Sequence, residues 1–314
     1  MRSPHAHPVI LCWLITWLTP AIAAGVDPPS PSFSVATYNL ENYITTATAS
    51  RSVKPEAARH GIDLALRSLS ADVLALQEVG GTNALLELRD RLRRQSLDYP
   101  HWEIVRGYDT NIHVAVLSRF PITERRSHPD EGFLLRGRRF RTSRGIVEVD
   151  IAAAPAYRFT LMVVHLKSRR ESTQASQEDI REQEAQVLRR LIDARLRRDP
   201  NANLIVAGDF NDLKNSRTIR TILGRGPQGL LDTRPTEDNG DDPASGRSGD
   251  AARRVAWTHF FALEDVYSRV DYILVSPGMA REWERRGSLV FAFPNWGRAS
   301  DHRPVLARFH NRDR

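Results

Sequence analysis

The sequence predicts an α/β protein on three observations. Helical and strand periodicities alternate along the chain, and short apolar runs of strand type repeatedly end in a polar residue. In addition, no low-complexity linker divides the roughly 290 residues that follow the N-terminal segment, a length that one layered α/β domain accommodates.

The N-terminal segment comes first. Arg2 precedes the apolar run Val9 to Leu18, and the small residues of Ala21-Ile22-Ala23-Ala24-Gly25 offer a cleavage site. Residues 1–24 therefore read as an export signal and 25–314 as the mature domain, which places the protein in the periplasm or outside the cell. The run is too short for a bilayer core, which needs about 20 apolar residues, and no later segment is apolar enough to span. Cys12 lies inside the signal and is the only cysteine. The mature domain then has neither disulfides nor thiolate metal ligands and folds on its core alone.

Phe33 to Leu40 mixes β-branched and aromatic residues in the manner of a strand and delivers Asn39 to its tip. Pro55 opens a helix in which Ala58, Ile62, Leu66 and Leu69 recur at helical spacing, and the buried-type strand Val73 to Leu76 follows. A second helix runs from Asn83 to Arg94 with Thr82 as its cap. Strand-like runs follow at His113 to Leu117, Ile146 to Ile151 and Phe159 to Val164. The longest helix, Glu178 to Arg198, carries Leu188, Leu191, Ile192 and Leu196 on one stripe, and Pro200 ends it before the strand Leu204 to Ala207. Strands at Val270 to Val275 and Pro304 to Phe309 close the chain, with a further candidate at Leu289 to Phe293. The segment 234–254, rich in Asp, Gly, Ser and Arg, has no periodicity and reads as a long mobile loop inside the domain.

Formal charge is +7 and the isoelectric point about 10.0, so the surface should attract polyanions such as nucleic acid or anionic lipid headgroups. Only Lys54, Lys167 and Lys214 are lysines among 45 basic residues, a bias that base composition also produces without any ligand. Arg189, Arg190, Arg195, Arg197 and Arg198 read as a solvated helix face.

The chemistry lies in the polar residues at the strand ends: Asn39, Glu78, His165, Asp209 with Asn211, Asp271, and Asp301 with His302. One acid after a strand is commonly a turn or cap residue; the joint occurrence points to a site on one rim of the sheet. Carboxylates and amides, with few histidines and no cysteine, suit an oxygen-seeking cation such as Mg²⁺ or Mn²⁺ rather than structural zinc.

These residues stand in motifs: Thr37-Tyr38-Asn39-Leu40, Gln77-Glu78-Val79, Leu117-Ser118-Arg119-Phe120-Pro121, His165-Leu166-Lys167-Ser168, Gly208-Asp209-Phe210-Asn211, Val270-Asp271-Tyr272-Ile273 and Ser300-Asp301-His302-Arg303-Pro304. In this order, from Phe33 to Phe309, the chain resembles the endonuclease/exonuclease/phosphatase superfamily, secreted deoxyribonucleases and sphingomyelinases among its members. The resemblance implies a four-layered α/β sandwich, with two mixed sheets face to face and helices outside.

It also implies roles. Glu78 resembles the main metal ligand, with Asn39 beside it and Asp301 nearby. Asp209 matches the residue that orients or deprotonates the attacking water, and Asn211 would hold that water or a phosphate oxygen. His302 resembles the histidine that stabilises charge developing on the phosphate, with Asp271 fixing its tautomer, and His165 resembles a second phosphate-binding histidine. An acid from an earlier strand should pair with His165, and Asp109 is the candidate. Lys167 and Arg119 are candidate substrate contacts.

The implied function is a secreted metal-dependent phosphodiesterase that cleaves nucleic acid by in-line attack of an activated water. The alternatives are a lipid-headgroup phosphodiesterase of the sphingomyelinase or phospholipase C type, a small-molecule phosphatase, or a non-catalytic phosphate-binding module. A lipid enzyme should present an exposed apolar hairpin, for which Asp130 to Leu135 and Phe260 to Leu263 are the candidates, both short and interrupted by charge.

Overall fold

The computed structural model describes residues 31–169, 175–238 and 255–314; the expected export signal, and residues 239–254 of the expected loop, lie outside them. The first half of the described chain builds β1 (Ser32–Tyr43), α1 (Glu56–Leu69), β2 (Val73–Val79), α2 (Thr82–Arg93), β3 (His101–Val105), β4 (His113–Ser118) and β5 (Ile122–Arg125). A hairpin of β6 (Gly132–Leu135) and β7 (Arg138–Arg141) leads to β8 (Val147–Ala154), β9 (Tyr157–His165), α3 (Gln177–Arg198), β10 (Leu204–Asp209) and α4 (Arg217–Leu223). The short strands β11 (Leu231–Asp232) and β12 (Thr236–Glu237) come next, then a second hairpin, β13 (His259–Phe261) and β14 (Val266–Ser268). Last come β15 (Asp271–Val275), α5 (Met279–Glu282), β16 (Trp283–Val290) and β17 (Val305–His310).

The large strands form two mixed sheets, in the orders β12-β16-β17-β1-β2-β4-β3 and β11-β15-β10-β9-β8-β5. They pack face to face because the strands alternate. Phe33 and Val35 of β1, Leu161 and Val163 of β9, Ile205 and Ala207 of β10 and Ile273 and Val275 of β15 share one buried cluster between the sheets. Residues of opposite parity face outward. Ala36, Tyr38 and Leu40 of β1 meet Ile62 and Leu66 of α1 and Leu85 and Leu88 of α2. Met162, Val164, Val206 and Leu274 meet Leu188, Ile192 and Leu196 of α3 and Ile219 and Ile222 of α4. This is the expected four-layered sandwich.

Several local expectations change. The helix read from Asn83 begins at Thr82, with Gly81 in the cap position. The candidate strand at Leu289 belongs to a longer strand that starts at Trp283 and breaks register between Glu284 and Leu289. Arg189 is not merely solvated: its guanidinium donates to the carbonyls of Ile222, Leu223 and Gln228, which closes the C-terminus of α4. In the β6–β7 hairpin Phe133, Leu135 and Phe140 turn onto the α3 core, which leaves Leu134 as its one exposed large apolar side chain. The β13–β14 hairpin instead exposes Phe261, Leu263, Val266 and Tyr267.

At the closed end of the sandwich Phe33 stacks on Phe159 and Phe309, with ring centroids 4.7 and 5.5 Å away, and meets Phe120 edge-on. It is 1% exposed. Phe33→Ala is expected to destabilise the fold by about 3–5 kcal/mol. Because Asn39 lies six residues along β1, about 20 Å away, turnover below the melting transition should survive. Denaturant titration with parallel rates checks both, and a rate loss without a stability loss would contradict the placement.

Candidate active site

The strand parity that builds the core also builds the site. Continuing the inward-facing rows of β1, β2, β9 and β10 by one step reaches Asn39, Gln77, His165 and Asp209, and Asp271 opens β15 on the same row. Asp209 stands opposite both His165 and Asp271 in the pairing register, because β10 is parallel to β9 and antiparallel to β15. Polar side chains thus occupy the last layer of an otherwise apolar interior, at one rim. All five are buried.

Two backbone features make the approach possible. Gly208 has φ +145°, and a Cβ there would lie 2.0 Å from the carbonyl oxygen of Val164, so only glycine lets β10 press onto β9. Glu78 and Asn211 are non-glycine residues held at φ +62° and +52°, a conformation that persists where surrounding structure imposes it and that clusters at functional sites. The turn at Glu78 breaks the alternation of β2, and its Oε2 accepts from the Asn42 backbone N–H at 2.8 Å.

Asp209 is the hub. Its Oδ2 accepts from Asn39 Nδ2 at 3.0 Å across the two sheets and from Asn211 Nδ2 at 3.2 Å, and its Oδ1 accepts from the Asn211 N–H at 2.9 Å. Nε2 of His165 lies 3.5 Å and Nε2 of His302 3.8 Å from Oδ2. His302 Nδ1 pairs with Asp271 Oδ2 at 2.8 Å, and Ser300 ties the loop to β1 by donating to the Asn39 carbonyl at 2.7 Å and accepting the His302 N–H.

Charge follows from this packing. Burial, partly offset by His302, raises the Asp209 carboxyl to about 6. Burial opposes protonation of His302, but Asp271, Asp209 and Asp301 around it carry its pKa up to about 10, so it is an imidazolium at neutral pH. Burial, with Arg144 and His302 close by, holds His165 well below the usual imidazole value, so it is neutral.

Asp109 is not the partner of His165. It faces Arg51 and Arg144 at 3.7 and 3.6 Å, whereas the acids within reach of His165 are Asp209 and, at 3.9 Å, Glu78. Arg119 is not brought to the site either. Its strand, β4, runs antiparallel to β2, which puts Ser118 beside Val73 at the closed end; there Arg119 pairs with Asp72 at 3.0 Å and with Ser70. Lys167 stays at the site's edge, its backbone held between Glu184 and Arg181.

The reading by motif missed four residues. His259 bridges His302 through the backbone, its ring 4.5 Å from the His302 ring and its Nε2 3.6 Å from Asp301. Glu41 and Lys54 form a pair at 3.4 Å; Asp301 and Glu78 act on both electrostatically. Arg303, 2% exposed, donates to Glu237 and to the Trp257 carbonyl and lies over the Trp257 ring. Their neighbours are distant in sequence, so only the aromatic-rich stretch around Trp257 gave any signal.

Among the described residues, two groups bring three ligand atoms within 4.8 Å of one another: His259, Asp301 and His302, and Asp209, Asp271 and His302. Asp271 Oδ1 is buried without a hydrogen-bond partner among them. The first group offers two imidazoles and one carboxylate, the second one imidazole and two carboxylates; the carboxylate oxygens are the donors that suit a hard divalent cation. Of the expected metal set Glu78, Asn39 and Asp301, Asp301 belongs to the first group, and Asn39 Oδ1 accepts from the Glu41 N–H at 3.0 Å.

A folded-state pKa above the unfolded one means that the native state binds the proton more tightly. The stabilisation from His302 is therefore complete below about pH 6.5 and lost as pH rises toward about 10. Asp271→Asn removes the nearest supporting charge and should flatten that decline, measured as unfolding free energy across the window. An unchanged slope would mean that His302 is not charged in the native state.

The sequence profile of the Endonuclease/Exonuclease/phosphatase family matches residues 36–302. A search of curated proteins gave no significant match. Among solved structures, the chain is similar to the human Nocturnin catalytic domain with bound sulfate (17% identity, 89% of this chain and 94% of that one, TM-score 0.62). It is also similar to sphingomyelinase C from Streptomyces griseocarneus (20%, 89% and 100%, TM-score 0.59) and to truncated Caenorhabditis elegans TDP2 (15%, 89% and 97%, TM-score 0.56). At these identities the structures speak for the fold. The profile, which spans every strand end of the site from Asn39 to His302, establishes that the chain belongs to the endonuclease/exonuclease/phosphatase family of phosphoester hydrolases.

Proposed function

We propose that the protein is an exported, metal-dependent phosphodiesterase that cleaves nucleic acid. The observation that carries the catalytic part is the buried set in which Asp209, with its pKa near 6, sits between a charged His302 and a neutral His165. A carboxylate of that strength, held in orientation by Asn39 and Asn211, suits a general base that takes a proton from the attacking water. The His302 imidazolium, its Nδ1–H fixed on Asp271, offers Nε2–H to a phosphoryl oxygen whose negative charge grows as the bond to phosphorus breaks. His165 adds a neutral imidazole on the other side of Asp209.

Glu78 and Asp301 would hold the cation, which would supply Lewis-acid stabilisation of the phosphoryl and leaving oxygens. Mg²⁺ or Mn²⁺ fits these oxygen donors. The formal charge of +7 and the cations at the rim, among them Arg51 and Arg144, favour a polyanionic substrate, and the N-terminal apolar segment supports export.

A second reading has its own observation. Phe261, Leu263, Val266 and Tyr267 project from the β13–β14 hairpin, whose β13 carries His259 against His302, as a lipid-docking tip would. Glu264 and Asp265 at that tip disfavour an anionic membrane, so a zwitterionic lipid headgroup is the substrate this reading requires.

Purified protein should nick plasmid DNA or degrade RNA with Mg²⁺ and lose that activity in EDTA, with sphingomyelin vesicles and a chromogenic phosphodiester run in parallel. Cleavage of the lipid alone would replace the first reading with the second. Asp209→Ala should lower turnover by at least about a thousandfold, and Glu78→Gln should raise the metal concentration needed. The pH profile of kcat/KM should rise through about 6 as Asp209 deprotonates and fall near 10 as His302 loses its proton. Asp271→Asn should move the alkaline limb to lower pH.

A further inference from the structure

Beside His165 lies a groove of about 670 Å³ whose lining includes Arg138, Arg139, Arg141, Arg144, Lys167 and a single acid, Asp109. Strand direction places it there. β8 is antiparallel to β9, with Val147 opposite Val163, so residues 142–146 rise next to His165; β4 starts at the same rim, His113 opposite Val79. Arg144 also lines the small cavity against His165, and so belongs to both groove and site.

The groove is built rather than incidental. Its two loops meet backbone to backbone through a glycine pair: a Cβ on Gly107 would lie 2.3 Å from the Gly145 nitrogen. The Asp109 N–H donates to the Ser143 carbonyl at 2.9 Å. From α3, the buried carboxylate of Glu184 accepts the Ser143 N–H on one oxygen and the Lys167 N–H on the other, each at 2.6 Å. That pair of bonds fixes the Arg144 and Lys167 loops relative to each other.

Arg144 is 8% exposed, yet its Nε and Nη1 find no acceptor among the described residues, and its Nη2 only approaches Asp109 at 3.6 Å. Buried guanidinium donors without acceptors are costly, and an anion is the group that would satisfy them. Arg138 and Arg139, on the exposed edge of the β6–β7 hairpin, make no ion pair among the described residues, and Tyr108, 69% exposed, stands at the lip. Arg141 pairs with Asp130 at 2.9 Å, but Arg138, Arg139 and Arg144 still outnumber the one acid of the lining, Asp109, and repel a cationic headgroup such as choline.

We propose that this groove is a second anion subsite, which holds a phosphate of the nucleic acid strand adjacent to the one being cleaved. Glu184 acts as its positioning residue. The proposal rests on the nuclease reading above and assigns it a polymeric rather than a mononucleotide substrate.

The test compares wild type, the double variant Arg138→Gln/Arg139→Gln and Arg144→Gln on single-stranded oligonucleotides and on a chromogenic phosphodiester with no flanking phosphate. The double variant should raise KM for the oligonucleotide on the order of tenfold with little change in kcat. It should also lower the slope of log KM against log salt by about 0.7 per lost phosphate contact, and leave the small diester unaffected. Arg144→Gln should weaken turnover of both substrates, because Arg144 also lines the site beside His165; the exposed Arg138 and Arg139 therefore decide the subsite. If wild type cleaves oligonucleotides but both the KM and the salt slope of the double variant are unchanged, the subsite is wrong and the nuclease reading stands. If wild type cleaves only sphingomyelin vesicles or the small diester, both fall together.

Discussion

The hydrogen bond from Asn39 to Asp209 joins two sheets that share no backbone pairing at that point, and the geometry of the site depends on it. Asp209 sits one step beyond Ala207 on β10 and Asn39 one step beyond the buried Thr37 on β1, so the inter-sheet packing that buries Phe33, Val163 and Ile205 also fixes how closely the two polar ends approach. A carboxylate buried at such a depth is unfavourable by itself. Asn39, Asn211 and the charged His302 compensate it, which leaves Asp209 near the proton affinity a base needs at neutral pH.

The same constraint sorts the histidines. His302 has three acids around it and keeps its proton, while His165, equally buried, has Arg144 and His302 among its neighbours and loses it. Two imidazoles a few ångströms from one carboxylate thus take opposite charge states, through their neighbours rather than their own chemistry. An enzyme that must both accept a proton and stabilise a phosphoryl anion has use for this division.

Loops at that rim flank the two histidines on opposite sides. The β13–β14 hairpin brings His259 and an apolar tip to one side of His302; the β6–β7 hairpin and the loop around Arg144 bring cations to the side of His165. On a layered scaffold of this kind, rim loops are where substrate contacts commonly sit.

The sequence by itself determined the elements and their inward faces, because alternation and helical spacing are local: Phe33, Val35 and Asn39 fall on one face whatever the strand pairs with. It also marked the strand ends where polar chemistry collects, and the motifs around Asn39, Asp209 and His302 identified a family and its layers. Only the tertiary structure decided which strand ends share a rim. Arg119 and His165 each follow an apolar strand, yet β4 and β9 deliver them to opposite ends of the sandwich, since strand direction is set by pairing and not by composition. For the same reason the contacts of Glu184, His259 and Arg303 were not legible in the sequence, and Asp109, the candidate partner of His165, faces Arg51 and Arg144 instead. Their partners lie far away along the chain, and a side chain's charge state or hydrogen bond exists only once the fold has brought that partner within reach.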